Sequence, residues 1–143
     1  MLNQKKHEII MNHYRNPQNQ TDIKHQGYKQ FEKITPYCGD QIIIQIKLDN
    51  NQRILDLKYE ANACSICCAS AILMSINMKK LDKEESLRKI KHFIAMIKQE
   101  SYHDNELNQE LKAFDIVYQL PNKINCVLLP WQALEGFWSQ SLG

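Results

Sequence analysis

The stretch Gln41-Ile42-Ile43-Ile44-Gln45-Ile46-Lys47-Leu48, with Asp49-Asn50-Asn51-Gln52 after it and Arg53 to Glu60 beyond, decides the fold. Ile42, Ile44, Ile46 and Leu48 alternate with Gln41, Gln45 and Lys47, the period-two pattern of a strand with one buried face. Asp49 to Gln52 is turn chemistry. Arg53 to Glu60 resumes the alternation, with Leu55, Leu57 and Tyr59 expected inward and Asp56, Lys58 and Glu60 outward. The reading is an antiparallel hairpin.

Helices surround this hairpin on both sides in sequence. Upstream, Lys5 to Arg15 gathers Ile9, Ile10, Met11 and Tyr14 on one side of a short helix that Asn16-Pro17 stops. Gln18 to Gln26 is polar loop, and Tyr28 to Ile34 reads as a further strand before Pro36. Downstream, Ile66, Ala69, Leu73 and Ile76 mark a largely buried helix ending near Asn77. Asp82 with Glu85 forms the signature of an N-terminal cap. Leu87, Ile90, Phe93, Ile94 and Ile97 then trace the buried stripe of a long helix to about Gln99. A further helix is expected from Leu107 to Tyr118. Pro121 breaks it, and Pro130 is expected in the first turn of a last helix carrying Leu134, Phe137 and Trp138 inward, with Cys126 in the connection before it. The sum is an α+β chain: a small antiparallel sheet of about three strands packed against several helices, in a single domain spanning 1–143.

The 143 residues hold 43% apolar and 24% charged side chains, a globular balance, so the chain carries enough apolar surface to fold. Eighteen Lys and Arg against sixteen Asp and Glu leave a charge of +2, too weak a field to gather nucleic acid without a segregated basic patch, and none is written. The longest uncharged run, Ala61 to Met78, is interrupted by Asn62, three Cys, three Ser and Asn77, which argues against a membrane span. The first residues continue into an amphipathic pattern with no apolar leader core, so a cytoplasmic protein is expected.

Five cysteines, at 38, 64, 67, 68 and 126, are an odd set without a secretion signal, which directs attention to metal or thiol chemistry rather than a disulfide framework. Cys38-Gly39-Asp40 sets a thiol and a carboxyl on one turn. Cys64 falls at a strand-to-helix junction, and Cys126 is expected just before the last helix. Together Cys38, Asp40, Cys64 and Cys126 could make a four-ligand Cys₃Asp shell of the kind that suits zinc, iron or an iron-sulfur cluster and does not suit Mg²⁺ or Ca²⁺. The competing reading is that the cysteines are small buried hydrophobes, and for Cys67 and Cys68, inside the buried helix, core packing is the expectation. Trp131 and Trp138 are read as core as well.

Thr35-Pro36-Tyr37-Cys38-Gly39-Asp40, Ala63-Cys64-Ser65-Ile66-Cys67-Cys68-Ala69-Ser70 and Ile124-Asn125-Cys126-Val127-Leu128-Leu129-Pro130-Trp131 resemble, in order, the three cysteine motifs of the SufU branch of the IscU/NifU-like family. Ile10-Met11-Asn12-His13-Tyr14-Arg15-Asn16-Pro17 resembles its opening helix. The likeness to SufU over IscU rests on the extra stretch around Asp104 to Leu120, on Asn125-Cys126 where IscU has His-Cys, and on an incomplete Leu120-Pro121-Asn122-Lys123 segment. The chain departs from the family at Asn62, Ala63 and Asn125, and at Cys67 and Cys68, which stand where relatives usually carry other residues. The resemblance implies an iron-sulfur cluster assembly protein that binds Zn²⁺ through Cys38, Asp40, Cys64 and Cys126 and takes persulfide sulfur from a SufS-like cysteine desulfurase. Cys38 is its implied reactive residue. It further implies a downstream iron-sulfur scaffold as recipient and a role for His13 and Tyr14 in desulfurase contact. The alternative is an IscU-type scaffold assembling a [2Fe-2S] cluster on the same ligands.

Overall fold

The computed structural model describes residues 2–35 and 39–140. Three strands, β1 (Lys29–Ile34), β2 (Gln41–Leu48) and β3 (Ile54–Asn62), form an antiparallel sheet in the order β1-β2-β3. Helices α1 (Leu2–Arg15), α2 (Ser65–Asn77), α3 (Lys83–Ile97), α4 (Gln109–Lys112) and α5 (Ile124–Gln140) complete the α+β architecture expected from sequence. Ile42, Ile44, Ile46, Leu57 and Tyr59 face the helices and are buried. The close approach of α5 to β1 depends on Gly136, where a Cβ would meet the Phe31 ring at 2.6 Å.

The hairpin forms with one change of facing. Lys47 pairs with Asp56 but Leu48 pairs with Ile54, so Leu55 has no partner across the ladder. This bulge reverses the alternation on its far side. Ile54 takes the inward place at 1% exposure, and Leu55, expected inward, is 56% exposed.

Gln45, expected on the open face, is buried because residues 18–28 fold across it. Its Oε1 accepts from the His25 N–H at 2.7 Å and its Nε2 donates to the Ile23 carbonyl at 2.8 Å. Beside it, Tyr28 Oη donates to Asp56 Oδ2 at 2.5 Å, with Lys58 and Lys79 near the same carboxylate. Burial works to raise the Asp56 pKa, but the Tyr28 hydroxyl, the two lysines and the Leu57 N–H outweigh it and hold the group below its usual range. A depressed folded pKa stabilises above the unfolded value and is lost as pH falls through the folded one. Tyr28→Phe is therefore expected to cost about 1 kcal/mol at pH 7, with the difference fading as the pH falls through the depressed folded pKa of Asp56, as urea denaturation over an acid pH series would register.

Asp82 caps α3 in a full capping box with Glu85. The stretch from Leu107 to Tyr118 is not one helix. A short turn at Asp104–Glu106 precedes α4, which tightens into a 3₁₀ segment over Ala113–Gln119. Leu111, Phe114 and Val117 recur every three residues, the period of a 3₁₀ helix, so the tighter winding stacks all three on one buried face. Lys6 pairs with Asp115 at 2.8 Å and His13 with Glu110, tying this segment to α1.

The last helix also starts earlier than expected. A turn at Pro121–Lys123 launches it at Ile124, so Cys126 lies in its first turn and Pro130 lies inside it rather than at its head. An interior proline costs about 3 kcal/mol. Full burial of Val127, Leu128 and Leu129 returns about 1.5–3 kcal/mol each, so packing wins over propensity. No helix among the described residues is long and apolar enough to cross a membrane.

Candidate metal centre

Asp40 stands at the mouth of β2. The Thr35 N–H donates to the Asp40 carbonyl at 2.9 Å and the Asp40 N–H to Thr35 Oγ1 at 3.1 Å, while Gly39 takes φ +74°, which a side chain would resist. Because Gln41 pairs with Asn62, the start of β2 lies beside the end of β3 and hence beside Cys64. Cys64 is the N-cap of α2, with extended backbone (φ −68°, ψ 166°) and no side-chain capping bond. Its thiol is thus not spent on the helix.

Cys126 is brought in by the packing of α5 on α2. Ser70 Oγ donates to the Val127 carbonyl at 2.7 Å and accepts from Trp131 Nε1 at 2.9 Å, a buried link between the two helices. Trp131 in turn stacks on Phe93 with centroids 4.0 Å apart. Trp131 and Trp138 are both core residues, as the sequence suggests.

The result is that one carboxylate oxygen of Asp40 and the sulfurs of Cys64 and Cys126 all lie within 4.8 Å of one another. A tetrahedral zinc shell asks for ligand atoms about 3.6 Å apart, given bonds of about 2.0–2.3 Å. The three donors are therefore close enough for one ion to draw them into such a shell. Cys38, expected as the fourth ligand, lies outside the described residues. Asp40 Oδ2 is buried and has no hydrogen-bond partner among the described residues. A buried carboxylate oxygen left so is costly unless a cation satisfies it, and two neighbouring thiols make the donor set suit a borderline-soft metal. The Cys126 thiol is pushed well above its ordinary range, first by burial and then by its hydrogen bond with Asp40 and the neighbouring Cys64, so the three groups interact directly. Cys64, Cys67, Cys68 and Cys126 are all free thiols.

A cavity of about 160 Å³ opens beside Cys64, lined among others by His7, Met11, Ile116, Leu120 and Lys123. It has no local signature in the chain, since its walls combine α1, the start of α2 and 3₁₀ segments read as helix or break. Of the two α1 residues singled out earlier, His13 is engaged by Glu110 and Tyr14 is exposed.

The model for the NifU-like N terminal domain matches residues 5–134. The chain belongs to that family, whose members here are iron-sulfur cluster assembly proteins. It is 34% identical over 128 residues to the zinc-dependent sulfurtransferase SufU of Bacillus subtilis, covering 90% of this chain and 85% of that protein. It is 29% identical over 128 residues to the iron-sulfur cluster assembly scaffold protein IscU of Streptococcus pyogenes, covering 89% and 78%. The crystal structure of FiSufU from Fervidobacterium islandicum, described as a cluster assembly scaffold protein for the SUF system, matches with a TM-score of 0.81 at 28% identity, over 90% of this chain and 92% of that one.

Proposed function

We propose that the protein is a zinc-bound sulfur acceptor in iron-sulfur cluster assembly, receiving persulfide sulfur from a cysteine desulfurase and passing it to a downstream scaffold. The observation that carries this reading is the gathering of a buried Asp40 oxygen, without a hydrogen-bond partner among the described residues, with two thiols from separate elements. Asp40, Cys64 and Cys126 are proposed ligands, with Cys38, two residues before Asp40, as the fourth. Zinc bound there supplies positive charge that keeps cysteine sulfur deprotonated at neutral pH.

Cys38 is the proposed acceptor. Its thiolate attacks the terminal sulfur of the desulfurase persulfide, a new S–S bond forms on Cys38, the bond to the desulfurase cysteine breaks, and that cysteine leaves as a thiolate. Asp40 stays behind as a hard oxygen donor whose bond exchanges readily, and the burial of Cys126 limits competing attack by water or small thiols.

The likeness to IscU supports a second reading, assembly of a [2Fe-2S] cluster on the same residues. Incubation with a SufS-like desulfurase and cysteine, followed by mass spectrometry, separates the two. The acceptor reading expects one added sulfur on the peptide holding Cys38, none in Cys38→Ser, and a colourless protein throughout. Sulfur arriving only with iron, as a brown chromophore, would favour the scaffold.

A further inference from the structure

The two edges of the sheet differ. Along β3, Tyr59 donates its N–H to the Asn19 carbonyl at 3.0 Å and accepts from the Thr21 N–H at 2.8 Å, so the loop before β1 covers that edge. β1 is the other edge, and no described residue pairs with its far side. The bond from the Thr35 N–H to the Asp40 carbonyl sets the phase of the β1–β2 ladder, in which bonded pairs alternate with unbonded ones. Lys29, Phe31 and Lys33 therefore bond to β2, and the N–H and C=O groups of Gln30, Glu32 and Ile34 point outward. Such a row of open donors and acceptors is a template for another strand.

The side chains on the two faces of β1 say what the edge accepts. Phe31 lies against Gly136 of α5, so Lys29 and Lys33 share its helix side. On that side opens a groove walled by Lys33, by Leu87 and Lys91 of α3 and by Gln132, Glu135 and Ser139 of α5. Neither Lys33 nor Lys91 has an acidic partner among the described residues, and Glu135 pairs with neither. On the opposite face Glu32 is engaged by Gln41, and Ile34 stands 53% exposed. We propose that the outer edge of β1 is a docking site for an extended segment of a partner protein. The segment adds as a further strand, with acidic side chains toward the groove and apolar ones on the open face beside Ile34. A second copy of the chain is the poorer occupant, because two β1 strands paired centre to centre set Lys29 of one against Lys33 of the other, a like-charge opposition. Ile34 pairs with Gln41, next to Asp40, so the docked strand ends beside the candidate centre, yet its binding requires no metal.

A short peptide of alternating valine and glutamate, blocked at both ends, tests this on the full chain by NMR and amide hydrogen exchange. The expected result is saturable binding that shifts the amides of Gln30, Glu32 and Ile34 and slows their exchange. Lys33→Glu with Lys91→Glu should weaken binding about tenfold, since each reversal turns an attraction into a repulsion. A peptide of alternating valine and lysine should bind the unaltered protein about as weakly. Lys24→Glu with Lys98→Glu makes the same change of net charge at exposed positions outside the groove and should leave binding unaltered. Glu32→Pro deletes one outward N–H while the bonds to β2 stay, as an edge strand allows, and should weaken binding about tenfold. Absence of saturable binding, equal binding of the two peptides, equal losses in the two lysine pairs, or shifts confined to residues away from β1 would overturn the proposal. So would protection of the same amides that rises with protein concentration without peptide, which would make a second copy the occupant. Circular dichroism of each variant checks its fold, and the surface lysine reversals carry the test if Glu32→Pro does not fold.

Discussion

Cys64→Ser is expected to strip the protein of its metal. The residue supplies one of the described donors directly from a helix N-cap, with no capping bond competing for its sulfur. Metal analysis after gel filtration should fall from one ion per chain to background, and Cys126→Ser should do the same. The stability consequence is large, because an ion that binds only the folded chain at a thousandfold excess over its dissociation constant adds about 4 kcal/mol. For a chain of this length that corresponds to about 13 °C in melting temperature. The unaltered protein should therefore melt higher with added zinc and lower with a chelator, and Cys64→Ser should respond to neither. Cys68→Ser is the matched control, a cysteine of the same turn that should leave metal content unchanged.

Trp131→Ala is the second substitution with a large expected effect, and it acts on the frame rather than on a ligand. Trp131 is fully buried, stacks on Phe93 and donates to Ser70, whose hydroxyl holds the Val127 carbonyl. Removing a buried tryptophan costs about 3–5 kcal/mol, or about 10–16 °C here. Because the lost contacts join α5 to α2, the separation of Cys126 from Cys64 should suffer with them, and zinc affinity should drop although no ligand was touched. Trp131→Phe keeps a stacked ring but loses the indole N–H and part of the ring volume, so a smaller cost of about 2–3 kcal/mol is expected. Thermal melts of both variants, with and without zinc, distinguish the packing loss from the ligand loss.

Much of this arrangement is legible in the chain itself. The alternation from Gln41 to Leu48 and the Asp82-Glu85 cap are local signals, and the structure keeps both. The errors fall where distant packing overrides a local rule. Leu55 obeys the alternation on paper but sits on a bulge, which no single strand announces. Pro130 reads as a helix start, yet the burial of Val127, Leu128 and Leu129 on its N-terminal side carries the helix through it. Gln45 reads as exposed because the loop that covers it lies some twenty positions away in sequence, joined by a hydrogen bond from the His25 N–H. The site follows the same division. Asp40, Cys64 and Cys126 each stand at a visible break in the pattern, so their residue types and junction positions could be read. That they meet depends on the β2–β3 register and on the Ser70–Trp131 link between helices, and neither has a local signature.

The most direct test of the zinc centre is X-ray absorption at the zinc edge, with metal stoichiometry, on protein prepared without added iron. One zinc per chain in a four-coordinate shell of three sulfurs and one oxygen is the expected result, and Asp40→Ala should alter the oxygen component while the sulfur component stays. Protein that carries no stoichiometric zinc, or zinc bound without cysteine sulfur, would contradict the assignment of Cys38, Asp40, Cys64 and Cys126.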